Sequence, residues 1–392
     1  MKYLSLATVF AAASGFVVMW IASWALDAES GYNYFLAFWG LFFAATGLID
    51  GITQETTRAV AASRETKARG TANPWKLGGA IGAVLAGAAL AAGAVGMARL
   101  VPSNPGAATG LLAFGLLSYA FQAVLSGILS GSGLWGRYAA LVAMDSGIRL
   151  VLAVVVWAFG GGLVEFLVIT VIGALSWILI LALSPVHVTL DVDRATFVRR
   201  VASAMIASGA SAALITGFPT AASAAFPAAT SGAAVAAINN AVMLTRAPVL
   251  VPLQRFQSAL VVRFVRQRGR VYQALAAPVA AILGVGLAGF AAAWAVGPWI
   301  LRVAYKPELF VDGLTLGLLT FASAFMGMLM ITGVAVLAQE RHGFYVAGWL
   351  AATATAFAVL FLAPWGVTAT VVAALFAGPV VGTLVHLAGL TR

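Results

Sequence analysis

The sequence contains no cysteine and only three histidines among its 392 residues. The absence of cysteine excludes disulfide bonds, cysteine-ligated metal sites and a cysteine nucleophile. His187, His342 and His386 are far apart in the sequence, so a histidine metal site is not expected. We therefore predict neither a resident metal nor a resident cofactor.

Charged residues are also scarce. They make up 9% of the chain, whereas about 25% is usual in a soluble domain. Hydrophobic residues make up 62%, and a soluble protein of this length needs a polar surface that such a composition cannot provide. The composition excludes soluble globular, disordered and fibrous proteins and predicts an all-α polytopic membrane protein.

Motifs of soluble enzymes are missing from the sequence. No glycine-rich loop ending in GK[ST] is present, so an ATPase domain is not expected. No long predicted outer loop carries the paired carboxylates that a membrane glycosyltransferase or polymerase needs. We therefore expect a transporter and not an enzyme.

Twelve apolar segments are long enough to cross a bilayer, for which about 20 residues are needed. They cover roughly 3–25, 34–60, 77–98, 108–130, 138–159, 163–184, 201–226, 233–262, 273–297, 313–337, 343–363 and 367–389. The second and eighth segments are the long ones. They are expected to tilt or to protrude from the membrane.

The basic residues predict the orientation of these spans. With both termini in the cytoplasm, sixteen of the 22 basic residues fall on the cytoplasmic side, and only Arg99, Arg302 and Lys306 fall outside. This asymmetry satisfies the positive-inside rule. Most of the net charge of +10 is thus a topology signal that favours anionic lipid headgroups, and nucleic-acid binding has no separate support.

The chain is predicted to consist of two lobes of six helices, at 1–184 and 201–392, joined by a cytoplasmic linker at 185–200. Features recur about 200 residues apart, among them a long charged span followed by a basic loop at 34–76 and again at 233–270. Because six is even, the two lobes are parallel and related by a pseudo-two-fold axis. Paired repeats of this kind place a substrate site at their interface and move by rocking.

The second span carries ionisable residues, which are costly inside a membrane and often functional. Asp50, Gln54, Thr57 and Arg58 share one helical face, and Glu55 lies beside it, three residues before Arg58. One interpretation is that this face lines a polar cavity. The other is that Arg58 lies at the membrane interface and Glu55 merely neutralises it.

The eighth span carries a second polar face, formed by Asn239, Arg246 and Gln257. Arg246 falls near the bilayer midplane, where a guanidinium needs water or an anion. We predict that Pro248 and Pro252 interrupt the helix. Arg255 is nine residues from Arg246 and joins its face only if the prolines realign the helix.

The fifth and seventh spans carry features with simpler explanations. Asp145 and Arg149 have the i, i+4 spacing of a salt bridge on one helix, which we interpret as a structural ion pair packed near Gln122. The segment 216–220 reads TGFPT and predicts a kink in the seventh span.

The twelve-span pattern, with charges in the second and eighth spans, resembles the multidrug/oligosaccharidyl-lipid/polysaccharide (MOP) exporter superfamily. Segment 54–59 (QETTRA) resembles the QE-x-x-RA ending of the second helix in its polysaccharide-flippase branch. Segment 244–249 (LTRAPV) resembles the RAP phrase of the eighth helix, and 297–301 (GPWIL) the end of the ninth.

The resemblance implies an alternating-access flippase that moves a polyprenyl-phosphate-linked oligosaccharide outward across a bacterial cytoplasmic (inner) membrane. It implies a phosphate site at Arg246, Arg58 and Arg255. Asn239, Gln54 and Gln257 would bind sugar hydroxyls, and Asp50 or Glu55 a coupling cation or proton. The membrane potential is the other energy source. We expect a functional monomer, with glycan-synthesis enzymes as candidate partners.

Two differences from other members of the superfamily favour the polysaccharide branch. The chain lacks the two extra helices of peptidoglycan-precursor flippases and the first-span carboxylate of many drug exporters. The alternatives are a cation-coupled multidrug exporter of the same fold and a scaffold subunit of a glycan-synthesis complex. The major facilitator fold is a structural alternative, but its charged signature between the second and third spans has no good match here.

Overall fold

The computed structural model describes residues 2–66, 70–183, 185–186, 190, 192–226, 228–266, 270–339 and 341–391. For the helical residues 2, 65–66, 94, 228–230, 251–252, 254–259, 261–262 and 265–266 it describes the backbone alone. All regular secondary structure in these ranges is helical.

The helices follow the order of the hydrophobic segments. They are α1 (Lys2–Ala25), α2 (Asn33–Thr66), α3 (Pro74–Leu100), α4 (Pro105–Gly131), α5 (Trp135–Ala158), α6 (Leu163–Ile172), α7 (Ser176–Leu183), α8 (Arg194–Ile215), α9 (Phe218–Ala225), α10 (Ala228–Arg266), α11 (Val271–Ala304), α12 (Gly313–Ala338), α13 (His342–Leu362) and α14 (Val367–Thr391).

The prediction of twelve spans is confirmed. Among the described residues, twelve helical stretches are long and apolar enough to cross a membrane. The sixth stretch, Leu163–Leu183, consists of α6 and α7 joined by a 3-10 turn at Gly173–Leu175. The chain is a multi-pass, all-α membrane protein.

The seventh span begins earlier than predicted and contains the predicted kink. Helix α8 starts at Arg194 instead of residue 201, because the Asp193 side chain accepts a hydrogen bond from the Thr196 backbone N–H and caps the helix. The helix ends at Ile215, and α9 starts at Phe218 with Pro219 in its first turn. Arg199 and Arg200 are therefore helical residues and not part of a linker.

The predicted interruption at Pro248 and Pro252 is wrong. Helix α10 runs without a break over 39 residues through both prolines. Each proline removes one backbone hydrogen bond, but neighbouring helices commonly stabilise proline inside membrane helices.

The helices form two compact units, Met1–Thr220 and Ala221–Arg392. The division lies beyond the predicted linker because α8 packs along α2, in the first unit. The internal repeat with lobes at 1–184 and 201–392 stays a prediction.

In the first unit, α2 is the central helix and packs against both α4 and α8. A row of glycines allows the close approach of α8. A Cβ on Gly51 would overlap the backbone of Ala204 and Met205, and one on Gly47 would overlap the side chain of Ala212. Small residues that let backbones approach are the usual basis of helix pairing in membranes.

In the second unit, α12 is the most buried of the spans and packs against α10, α11 and α14. His386 of α14 is fully buried against it. One ring nitrogen of His386 lies 3.1 Å from the Thr332 hydroxyl, and the other lies 3.1 Å from the carbonyl oxygen of Tyr345. Both ring nitrogens thus have partners, so His386 joins three helices.

We predict that Gly51→Ala destabilises the first unit, since the added methyl group meets backbone atoms of α8 that cannot rotate away. Overpacking of this kind costs about 1–3 kcal/mol. The measurement is the melting temperature of the purified protein in detergent. Gly87→Ala is the matched control, because a Cβ there meets no atom within 4 Å. Equal melting temperatures for the two variants would show that the close approach is not needed.

Candidate functional site

The candidate site in the first unit is a carboxylate with two arginines, which we call the Glu55 cluster (Glu55, Arg58 and Arg200). Arg58 Nη2 lies 2.6 Å from Glu55 Oε1, and Arg58 Nε lies 2.8 Å from Glu55 Oε2. Arg200 Nη1 lies 3.9 Å from Glu55 Oε1. The carboxylate is thus held in a fork by one guanidinium and faces a second.

The two ion pairs of the cluster have different origins. Glu55 and Arg58 lie three residues apart on α2, where side chains are neighbours on the helix surface. Arg200 comes from α8, which reaches Glu55 because of the close contact at Gly47 and Gly51. The cluster therefore depends on both local spacing and helix packing.

Burial in the cluster is uneven. The Glu55 side chain is 8% exposed, whereas those of Arg58 and Arg200 are 44% and 46% exposed. The formal charge is +1, since two guanidiniums surround one carboxylate. A buried carboxylate that orients half-exposed arginines produces a positive surface suited to phosphate or carboxylate groups.

The rest of the predicted α2 face divides between packing and exposure. Asp50 is half-buried and accepts a hydrogen bond from the Tyr119 hydroxyl of α4 at 3.0 Å. The Thr57 hydroxyl lies 2.6 Å from the Ser130 hydroxyl, also on α4. Gln54 is exposed. Asp50 and Thr57 therefore face α4, while Gln54 and Arg58 remain accessible.

The structure brings Asp145 and Arg149 together. Arg149 Nη1 lies 2.6 Å from Asp145 Oδ2, and Arg149 Nε donates to the Thr170 carbonyl at 3.0 Å. Gln122 Nε2 donates to Asp145 Oδ1 at 3.3 Å. The group links α4, α5 and α6 within the first unit.

In the second unit, the described part of the polar face of α10 is buried. Asn239 is fully buried and Arg246 is 8% exposed. Asn239 Nδ2 lies 3.5 Å from the Ser223 hydroxyl. Arg255 and Gln257 lie on the backbone of α10, but their side chains are outside the described residues, so their place on this face stays a prediction.

Sequence reasoning missed Arg200, because it placed residues 185–200 in a linker. The sequence signal that could have identified Arg200 is Asp193. Its side chain caps the backbone at Thr196, so a helix begins at Arg194 and includes Arg200. Within the described residues, no group of three or more acidic or histidine side chains could hold a metal ion.

No family model matches the chain. The chain is similar along almost its whole length to proteins of Mycobacterium tuberculosis H37Rv. Uncharacterized protein Rv3630 is 37% identical over 398 residues, which cover 98% of this chain and 90% of that protein. Uncharacterized protein Rv1510 is 36% identical over 393 residues, with the same coverage.

Solved structures establish the fold. An inward-facing multidrug resistance MATE family transporter of the MOP superfamily matches with a TM-score of 0.76 and 15% identity, over 98% of this chain and 94% of that chain. Its outward-facing counterpart matches with a TM-score of 0.69 and 17% identity, over 100% of this chain and 94% of that chain.

A MOP superfamily transporter from Pyrococcus furiosus, whose binding pocket is described as having reverse polarity that suggests a different function, matches with a TM-score of 0.67 and 15% identity, over 100% of this chain and 94% of that chain. The chain thus has the fold of MATE and MOP transporters, as the resemblance implies.

We predict that the Asp145–Arg149 pair stabilises the fold and takes no part in substrate binding. Arg149→Met leaves the Asp145 carboxylate without its charged partner, which costs about 3–5 kcal/mol for a buried pair. The double variant Asp145→Leu/Arg149→Met removes both charges and is expected to regain most of this stability. Melting temperatures of the three proteins test this. A double variant that is stable but inactive in transport would assign the pair a functional role instead.

Proposed function

This chain belongs to the family of the mycobacterial proteins described above, and on that premise we propose that it is a membrane exporter that works by alternating access. Its substrate is a polyprenyl-phosphate-linked oligosaccharide, which it moves from the inner to the outer leaflet of the cytoplasmic membrane. The MATE-type fold supports the exporter class. The substrate is argued from the charges below.

The Glu55 cluster is the observation that supports an anionic substrate. Its two half-exposed arginines outnumber the one carboxylate, and that carboxylate is buried. Arginine binds phosphate through a planar fork of N–H donors, and it stays charged in a membrane because its pKa is too high for neutralisation. The cluster thus presents a permanent positive charge to the substrate headgroup.

The other polar residues take supporting roles in the proposal. Gln54 is exposed one turn before Arg58, where its amide can bind sugar hydroxyls. Arg246 and Asn239 provide an amide and a second basic group in the second unit. Arg255 and Gln257 are proposed to extend this face. Because an inside-negative potential favours outward movement of an anion, the membrane potential supplies part of the driving force.

The alternative is a cation-coupled exporter of small amphipathic molecules. The observation that favours it is Asp50, a half-buried carboxylate on the central helix. Asp50 accepts a hydrogen bond from the Tyr119 hydroxyl and, among the described residues, has no arginine partner. In this alternative Asp50 binds the coupling cation or proton. In the glycan exporter Asp50 is the ion site as well, and Glu55 orients the arginines.

The proposal also includes the orientation of the protein in the membrane, its oligomeric state and its partners. Both termini lie in the cytoplasm, since the basic loops then follow the positive-inside rule. The same loops contact anionic lipids. The protein acts as a monomer, and enzymes of glycan synthesis that supply its substrate are the expected partners.

We predict that Arg58→Gln/Arg200→Gln lowers flipping of a fluorescent polyprenyl-diphosphate oligosaccharide in proteoliposomes by at least about tenfold, because each arginine contributes charge-assisted hydrogen bonds. The single variant Arg58→Lys should retain only part of the flipping activity, since an ammonium keeps the charge but cannot form the fork.

The control for this experiment is Arg137→Gln. Arg137 is also an exposed arginine of the first unit, but it lies outside the Glu55 cluster. Flipping that survives in the Arg58/Arg200 double variant would contradict the glycan proposal. Loss of drug efflux on Asp50→Asn, together with normal glycan flipping by the cluster variants, would establish the drug exporter. If substitutions in the Glu55 cluster leave glycan export unchanged while substitutions on the protein surface lower it, the scaffold role is favoured.

A further inference from the structure

The second unit contains an apolar groove that the proposed function does not use, which we call the α10–α11 groove. It has a volume of about 730 Å³ and is lined by eleven described residues of α10, α11 and α12, ten of them apolar. Binding sites for small molecules have volumes of about 300–1,000 Å³ and similar linings. The eleventh lining residue is Arg263.

The shape of the groove follows from small residues on α11. Ala277, Ala281 and Val285 lie four residues apart on one helical face, and all three are exposed. Ile282 forms part of the floor, where Gly327 of α12 brings the two helices together. The groove is thus open along α11 over about 12 Å of helix, from residue 277 to residue 285.

Arg263 lies at one end of the groove. It is three residues before the end of α10, and its Nε donates to the carbonyl of Ala274, near the start of α11. The guanidinium therefore lies near the end of α10 and the start of α11, while the apolar lining extends along both helices away from it. Within the described residues, no acidic side chain lines the groove.

We propose that the α10–α11 groove binds one hydrocarbon chain of an anionic lipid, with its phosphate on Arg263. Resting on the proposed function, the occupant is the polyprenyl phosphate carrier of the substrate.

The charge and the lining of the groove select this occupant. The positive charge at one end and the apolar lining along the rest match a single-chain lipid with a phosphate at its end. The groove receives the isoprene units nearest the phosphate, and the rest of a C55 chain lies beyond it.

The test measures binding of a C55 polyprenyl monophosphate to the full-length protein in detergent by native mass spectrometry. Ala281→Trp fills the groove and is expected to weaken binding about tenfold or more. Ala280→Trp is the matched control, because Ala280 is exposed at the same depth on another face of α11. Arg263→Gln should weaken binding about tenfold through loss of a charge-assisted contact.

Three further ligands separate the parts of the site. C55 polyprenol lacks the phosphate, so Arg263→Gln should leave its binding unchanged. Inorganic phosphate alone should bind too weakly to compete. Phosphatidylglycerol tests an ordinary membrane lipid, and equal binding by it would overturn the assignment of a polyprenyl carrier. Unchanged binding of the polyprenyl phosphate by Ala281→Trp, with a normal melting temperature, would overturn the groove itself.

The outcomes distinguish the groove from the proposed function. If flipping requires Arg58 and Arg200 but Ala281→Trp binds polyprenyl phosphate as the unaltered protein does, the groove proposal fails and the exporter proposal stands. If the unaltered protein binds polyprenyl phosphate but flips no glycan, the exporter proposal fails and the groove stands. If it neither binds nor flips, both proposals fail.

Discussion

The close contact between α2 and α8 is the constraint on which the first unit depends. Gly47 and Gly51 leave room for the backbone of α8, and no side chain rearrangement can replace that room. The contact brings Arg200 to a carboxylate that lies 145 positions earlier in the sequence. Without it, Glu55 would have one guanidinium instead of two, and the positive surface of the cluster would lose its second member.

Three carboxylates of the first unit, Asp50, Glu55 and Asp145, have different partners. Asp145 contacts the Arg149 guanidinium and the Gln122 amide, in a group that links three helices. These contacts are typical of a structural ion pair. Glu55 orients arginines that are themselves accessible. Asp50 has a phenol as its partner and, among the described residues, takes part in no ion pair. Helix α2 thus carries a carboxylate at Asp50 and, five residues later, the carboxylate of the net positive Glu55 cluster.

The sequence predicts those features that depend on neighbours along one helix. The twelve spans follow from hydropathy and length, and the Asp145–Arg149 contact follows from its i, i+4 spacing. The local signal at Asp193 places Arg200 in α8, but its contact with Glu55 depends on the packing of two helices distant in sequence, which no local pattern predicts. The continuity of α10 at Pro248 was missed for a related reason, since packing around a helix decides whether it tolerates proline.

The unbroken course of α10 has a mechanical consequence. At 1.5 Å per residue its 39 residues span about 58 Å, nearly twice the thickness of a bilayer core of about 30 Å. A helix of this length fits within such a core only if it is strongly tilted, so part of α10 is expected to extend beyond the core. A tilt of a few degrees about one end of an unbroken helix of this length displaces its other end by several ångströms.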